Sequence, residues 1–304
     1  MHKRIGSLEN VLVFPIMLTM TGQFHYERIS LQPISGSLGA IINGVDLREP
    51  LDDETYAEIK QALLDNLVIF FRDQDISPDQ QIAFGKRFGG LHIHPFIPSL
   101  PGHDEIIRLW AESGDVDNLR LANAWHPDLS YTLDPPLAAI LRGVQIPSRG
   151  GDTMWVNLYK AYDTLSDRMK DIISDMVAYH DVTKTYRHQD LQTKGGAERF
   201  WKTFQKSPPV EQPLVKVHPE TGKKLLYLSV LTTTHIKDLH PNESEALLKM
   251  LFAHLDWSEL QCRFYWQKNS IAMWDNRCTC HYAVRDYTEA REMHRVTVLG
   301  DVFN

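Results

Sequence analysis

The chain has 304 residues and a mass of 35.0 kDa, with 32 Lys+Arg against 39 Asp+Glu, a net charge of −7 and a pI near 6.0. That balance excludes a nucleic-acid partner held by neutralising phosphates, which calls for a basic excess. Hydrophobic residues at 43% and charged ones at 23% are those of a folded globular chain, and three cysteines, an odd number, exclude a disulfide framework and suit a reducing compartment.

Residues 1–23 combine Lys3 and Arg4 with an apolar run from Val11 to Met20 that is too short to span a bilayer. Pro15 interrupts the run, and no A-x-A-like cleavage site follows. The expectation is an extension ahead of a start at Met20, one domain over 24–304, and a cytoplasmic protein without a membrane partner. Residues 29–47 punctuate short apolar pieces with Pro and Gly, as strands and turns do. Helical spacing places Ile59, Leu63 and Leu64 on one face over 53–65. Leu67–Phe71 reads as a buried strand. Ser77-Pro78-Asp79-Gln80 is a capping box with Pro in the first turn, opening a helix that Gly89-Gly90 is expected to end.

From 137 onward strands dominate, at 137–144, 153–156, 225–229, 262–266, 271–274 and 294–299. Helices are expected at 158–178 and 242–255, the second opening on Asn242 and Glu245. The Lys-rich stretch 184–213, with Pro208-Pro209, reads as a lid-like insertion. The fold class is mainly β with flanking helices, a double-stranded β-helix or jelly roll.

Histidine, at 14 copies, directs attention to metal chemistry. A His-x-Asp pair on a strand turns both side chains to one face, supplying two-thirds of a 2-His-1-carboxylate triad for Fe(II). Composition alone gives about one such pair by chance; the chain has three. His254 and Asp256 close a helix, where residues two apart diverge, and His188 and Asp190 lie in the polar insertion. His126-Pro127-Asp128 stands before the strand-rich half. Cys278, Cys280 and His281 offer a zinc alternative, but structural zinc wants four ligands and Cys262 has no C-x-x-C partner. Free thiols are the better account. His92, His218 and His240 read as turn or packing residues, and Trp125 and Trp274 as core aromatics.

The ordered set of His126-x-Asp128, Gly150-Gly151-Asp152-Thr153, Trp274-Asp275-Asn276-Arg277 with His281, and Arg291-x-Met293-His294-Arg295 resembles the taurine dioxygenase (TauD/TfdA) family of Fe(II)- and 2-oxoglutarate-dependent oxygenases. The resemblance runs from about Arg28 to Asp301 and includes the 91–95 and 218–229 segments. It implies His126, Asp128 and His281 as iron ligands and catalytic centre, with O2 and 2-oxoglutarate as co-substrates. Thr153 and Arg291 would hold the distal carboxylate of 2-oxoglutarate, a fork and a hydroxyl suited to it. Arg291 falls ten residues after His281, one fewer than in taurine dioxygenases proper. Arg295 would anchor an anionic substrate on the same strand face as Arg291, with His94 as a second contact. Hydroxylation next to sulfur would release sulfite and an aldehyde.

Where taurine dioxygenase proper has a tyrosine, an asparagine and two phenylalanines in its pocket, the resemblance gives Ile97, Ala122, Leu231 and Tyr186. Partners for a small amine are lost and apolar space is gained, which implies a larger or less polar anion than taurine: a sulfonate, an alkyl sulfate, or a carboxylate. The alternatives are a hydroxylase of a phenoxyalkanoate or specialised metabolite and an inactive jelly-roll binding protein. The resemblance also implies a homo-oligomer, a dimer or tetramer.

Overall fold

A computed structural model describes residues 25–94, 97–113, 123–186, 191–192 and 194–300. The expectations for residues 1–23, for Ala122, and for His188 and Asp190 lie outside the described residues.

The chain begins with β1 (Ser30–Pro33) and β2 (Ala40–Asn43), then α1 (Asp53–Asn66), β3 (Val68–Phe71) and α2 (Pro78–Lys86). The Asp52 carboxylate accepts from Thr55 N at 2.7 Å to start α1, and Asp53 and Glu54 complement the positive end of its dipole. Ser77 and Gln80 form both halves of the expected capping box on α2. That helix stops at Lys86, three residues before Gly89. Two strands absent from the sequence expectation follow, β4 (Ser99–Leu100) and β5 (His103–Ala111), then β6 (Ala138–Gln145) and β7 (Thr153–Asn157).

The helix expected over 158–178 is two, α3 (Leu158–Asp163) and α4 (Asp167–Ile173), followed by strand β8 (Val177–His180). Ser166 divides them: its hydroxyl accepts from Met169 N and restarts the helix. The insertion holds a short 3₁₀ turn at Val182–Thr185 and α5 (Gly196–Lys206), and ends in β9 (Val210–Pro213), which pairs with β8. After β10 (Val215–Val217), β11 (Lys224–Leu226) and β12 (Thr233–Ile236) comes α6 (Pro241–His254). Its cap is His240 with Glu243 rather than Asn242 with Glu245, because Pro241 takes the first helical position. The last strands are β13 (Gln261–Phe264), β14 (Ile271–Asp275), β15 (Thr279–Ala283) and β16 (Arg291–Val298).

One sheet runs β1-β2-β3-β14-β6-β16-β5-β4, with only β2–β3 parallel among its pairs. Three-stranded sheets β13-β7-β15 and β12-β8-β9 and the hairpin β10-β11 complete the jelly roll. Strand alternation divides the core in two. On β14, Ile271 and Met273 join Val296 and Val298 of β16 under Ile59 and Leu63 of α1. Ala272, Trp274 and Met293 face the other way, against Trp155, Val156 and Phe264 of the opposing sheet. Phe70 stacks on Phe264 at 4.0 Å, and Trp155 lies 5.7 Å from Trp274. Each such buried aromatic stabilises the sandwich by roughly 2–3 kcal/mol. The same alternation on β16 sends Arg291 and Arg295, in phase with Met293, into the space between the sheets.

Candidate active site

Two backbone hydrogen bonds join the two predicted histidines directly. His281 N donates to His126 O at 2.9 Å and His126 N to His281 O at 3.2 Å, an isolated antiparallel bridge that sets their rings 4.1 Å apart. Residues 126–128 are therefore not a regular strand. The chain leaves the bridge and turns at once, with Leu129 in the left-handed region at φ 52°. The ligand atoms of His126, Asp128 and His281 lie within 4.8 Å of one another, all three residues buried.

The hydrogen atoms on these rings follow from their partners. His126 Nδ1 is 2.7 Å from Ala124 O, a pure acceptor, so Nδ1 carries the proton and Nε2 keeps its lone pair. Burial pushes the pKa of both His126 and His281 down, holding them neutral. Burial works against the Asp128 charge, but Arg295, with His281 and His126, holds that carboxyl below its ordinary range. Arg295 Nη1 donates to Asp128 Oδ1 at 2.6 Å, while among the described residues Asp128 Oδ2 and His281 Nδ1 have no hydrogen-bond partner. Two neutral imidazoles and a carboxylate with an unspent buried oxygen fit a divalent cation.

Asn276 supports this cluster, a role the sequence reading overlooked. Its Oδ1 accepts from Asp128 N at 2.7 Å, and its Nδ2 donates to Asp128 O at 2.9 Å and Pro136 O at 3.3 Å. Trp274, two residues earlier, packs 4.8 Å from the His281 ring. The Trp274–Arg277 segment signalled this position, but its spacing says nothing of which side chain reaches Asp128. Asp256, in a discarded His-x-Asp pair, accepts from Trp125 Nε1 at 2.8 Å and steadies the residue before His126.

A cavity of about 420 Å³ opens over the cluster. Thr153, Arg291, Arg295, His94, Ile97 and Leu231 all line it, as expected. Tyr186 does not: its hydroxyl pairs with Thr203 Oγ1 at 2.8 Å and its ring packs on Phe200 of α5. Cavity-lining residues missed from the sequence include Tyr131, Arg285 and Tyr287. Thr153 Oγ1 accepts from Trp266 Nε1 at 2.9 Å, and because indole only donates, the threonine O–H remains a donor. Arg291 donates to Gly151 O at 3.1 Å. Gly151, at φ 72°, permits that approach: a Cβ there would lie 3.2 Å from Arg291 Nε. His94 Nδ1 accepts from Ile97 N at 3.0 Å, so the ring proton sits on Nε2. Burial, helped by Arg295, lowers the His94 pKa to about 4 and keeps it a neutral donor.

A second group of potential ligands, His218, Asp275 and Cys278, is equally buried. Arg277 occupies both Asp275 oxygens at 2.9 and 2.6 Å, and Glu220 joins at 2.9 Å. His218 Nδ1 accepts from Glu220 N and Thr221 N, so Nε2–H donates to Asp275 at 3.0 Å. This group has no lone pair to offer a metal at His218 Nε2. All three cysteines are buried and free, and burial raises the Cys278 thiol pKa.

A jelly roll with a buried His-x-Asp and a distal His at one end of its inter-sheet cavity defines the class of non-haem Fe(II) oxygenases. The family profile described as "Taurine catabolism dioxygenase TauD, TfdA family" matches residues 30–297, and the chain belongs to that family. It is 35% identical to an alkylsulfatase of Acinetobacter baylyi, over 91% of this chain and 86% of that one. It is also 35% identical to an alpha-ketoglutarate-dependent sulfate ester dioxygenase of Pseudomonas putida, over 91% and 92%. A solved taurine dioxygenase from Burkholderia xenovorans superposes with a TM-score of 0.76 at 37% identity, covering 90% of each chain. The chain is a 2-oxoglutarate-dependent dioxygenase, with Fe(II) as its metal and 2-oxoglutarate and O2 as co-substrates. Among the described residues, no helix is long and apolar enough to cross a membrane.

Proposed function

We propose that this enzyme hydroxylates a small organic anion, a sulfate ester or sulfonate, on the carbon that carries the sulfur-containing group. The observation that carries this reading is one cavity with the His126, Asp128 and His281 cluster in its wall beside two guanidiniums, the buried Arg291 and the partly buried Arg295. In this reading His126 Nε2, Asp128 and His281 hold Fe(II). The iron, when bound, supplies O2 activation and the oxidation of 2-oxoglutarate to succinate and CO2. The residues of the chain bind, orient and exclude water. Arg291 and the Thr153 hydroxyl clamp the distal carboxylate of 2-oxoglutarate. Arg295, through its unpaired Nε, and His94, through Nε2–H, face the substrate anion. Ile97 and Leu231 provide an apolar wall for its carbon chain.

One oxygen atom of O2 enters succinate and the other becomes the new hydroxyl. The adduct then collapses: its C–O or C–S bond breaks, the hydroxyl oxygen becomes an aldehyde carbonyl, and the hydroxyl proton leaves with the sulfate or sulfite. Incubation with Fe(II), 2-oxoglutarate and a panel of anions tests the reading. Succinate formed in step with sulfate or sulfite supports it. Succinate coupled only to a phenoxyalkanoate moves the assignment to aryl-ether hydroxylation, which the apolar wall also accommodates. No Fe(II)-dependent turnover refutes it. We read the chain further as one catalytic domain over 24–304 and as a cytoplasmic homo-oligomer, consistent with three free buried thiols. Light scattering on the purified protein measures the subunit number.

A further inference from the structure

Arg291 enters the cavity from the first residue of β16. It is 7% exposed, and among the described residues its Nε has no hydrogen-bond partner. Nη2 donates to Gly151 O at 3.1 Å. Burial works against its charge, while Tyr287 and Asp152 favour it; the Tyr287 ring centre lies 5.7 Å from the guanidinium carbon. A guanidinium takes a carboxylate as a fork only when its plane is held in place beforehand. Here that plane is referred to a carbonyl, and the carbonyl belongs to a glycine.

Gly150 and Gly151 both have positive φ, at 74° and 72°. Two successive glycines have the widest backbone freedom a chain allows, so Gly151 O points where its neighbours hold it. Asp286 is one holder: its Oδ1 accepts from Gly151 N at 2.9 Å. On the other side of the carbonyl, Val284 N donates to Asp152 O at 2.9 Å. Arg263 braces both carboxylates, from Nη2 to Asp286 Oδ2 at 3.4 Å and from Nε to Asp152 Oδ2 at 2.6 Å. The approach is close, since a Cβ on Gly150 would lie 2.5 Å from Asp286 Oδ1 and 2.6 Å from Asp286 O. Asp286 stands five residues after His281 and five before Arg291, in the segment joining β15 to β16. Its neighbours Val284, Arg285 and Tyr287 line the cavity, while its own side chain is half exposed behind them.

We propose that Asp286 is a positioning residue for the co-substrate: by holding Gly151 N it fixes Gly151 O, and Gly151 O sets the plane in which Arg291 meets 2-oxoglutarate. This rests on the role proposed above for Arg291 and goes one residue behind it. Asp286 itself touches no reacting atom. A carboxylate that served the fold alone would lower stability and weaken every ligand of the site together. One that acts through Arg291 weakens 2-oxoglutarate selectively, and only while Arg291 is there to be oriented.

The experiment measures Kd for 2-oxoglutarate by calorimetry on Mn(II)-loaded protein without oxygen, and Kd for Mn(II) beside it. The proteins are the wild type, Asp286→Ala, Asp286→Asn, Arg291→Met and the double variant Asp286→Ala with Arg291→Met. Asp286→Ala is expected to weaken 2-oxoglutarate by about tenfold, the scale on which an outer partner of a binding group acts, with Mn(II) affinity unchanged. Asp286→Asn keeps an oxygen that accepts from Gly151 N and is expected to stay within about threefold of wild type. Arg291→Met weakens 2-oxoglutarate, and adding Asp286→Ala to it brings no further loss. Additive losses in the double variant overturn the proposal, as does equal weakening of Mn(II) and 2-oxoglutarate. Should Asp286→Ala not fold, Arg263→Gln removes the brace from the half-exposed side; it is expected to weaken 2-oxoglutarate by about threefold, and no change overturns the proposal. If Arg291→Met binds 2-oxoglutarate as the wild type does, the role of Arg291 fails and that of Asp286 with it. If Arg291→Met weakens binding and Asp286→Ala does not, the role of Asp286 alone fails.

Discussion

Two buried clusters in this protein have nearly the same composition and opposite uses. His126, Asp128 and His281 bring a carboxylate and imidazoles within ligand distance; so do His218 and Asp275, with Cys278. The difference lies in which lone pairs are already spent. In the first cluster Asp128 Oδ2 is unpaired and His126 Nε2 is available, its proton held at Nδ1 by Ala124. In the second, Arg277 covers both Asp275 oxygens, and the His218 proton points at Asp275 because two backbone N–H groups claim Nδ1. Burial and residue type alone do not make a metal site; the unspent acceptor does.

The largest test removes a ligand. Asp128→Ala is expected to reduce coupled succinate formation to background and to abolish the single divalent-metal binding step in a titration with Mn(II). Near-normal turnover would mean that the triad is misassigned.

The second cluster should answer in stability. Asp275→Asn leaves Arg277 buried with half its partner and is expected to cost about 3–5 kcal/mol in urea unfolding, with metal stoichiometry still one per chain. The pH dependence carries a definite sign. Burial opposes the Asp275 charge, yet Arg277 and His218 hold its pKa at about 2, below the usual 3.8. A depressed acid contributes stability that is complete above its unfolded pKa and disappears as pH falls through the folded value. The gap between wild type and Asp275→Asn therefore narrows between pH 4 and pH 2. A gap that stays constant would show that Asp275 is not the titrating partner.

Asn276 belongs to both clusters, following Asp275 in the chain and clamping the Asp128 backbone. Asn276→Ala is expected to weaken Mn(II) binding by about 10–100-fold. A fall in Tm with unchanged metal affinity would assign it to the structural cluster alone. The smallest effect is on substrate selection: Arg295→Ala should raise the KM of the organic anion by about tenfold and leave that of 2-oxoglutarate within about twofold. The reverse pattern would exchange the roles of Arg291 and Arg295.

The legible parts of the site were those that short-range pattern encodes. Arg291 and Arg295 share a strand parity, so their facing could be read without coordinates, whereas His126 and Asp128 meet at an isolated bridge and turn and not on the regular strand that their two-residue spacing implies. Tyr186 was misplaced because the path of the insertion decides whether it meets the cavity or Thr203, and that path is a long-range matter. The cap of α6 was shifted by two because Pro241 made His240 the better start. β5 went unread because its mixture of charged and apolar residues lacks clean alternation; pairing with β16 makes it a strand.

By itself, the sequence determined the fold class and the family and pointed to the triad and the two arginines as candidates, since ordered motifs with fixed offsets survive without knowledge of distance. Only the tertiary structure decided which lone pairs remain unspent, which histidine tautomers hold and how Asn276 reaches Asp128. The tautomers of His126 and His218 are set by backbone groups two or three positions away, but Asn276 reaches Asp128 across 148 positions, brought near by the closure of two sheets. No local period records such a meeting.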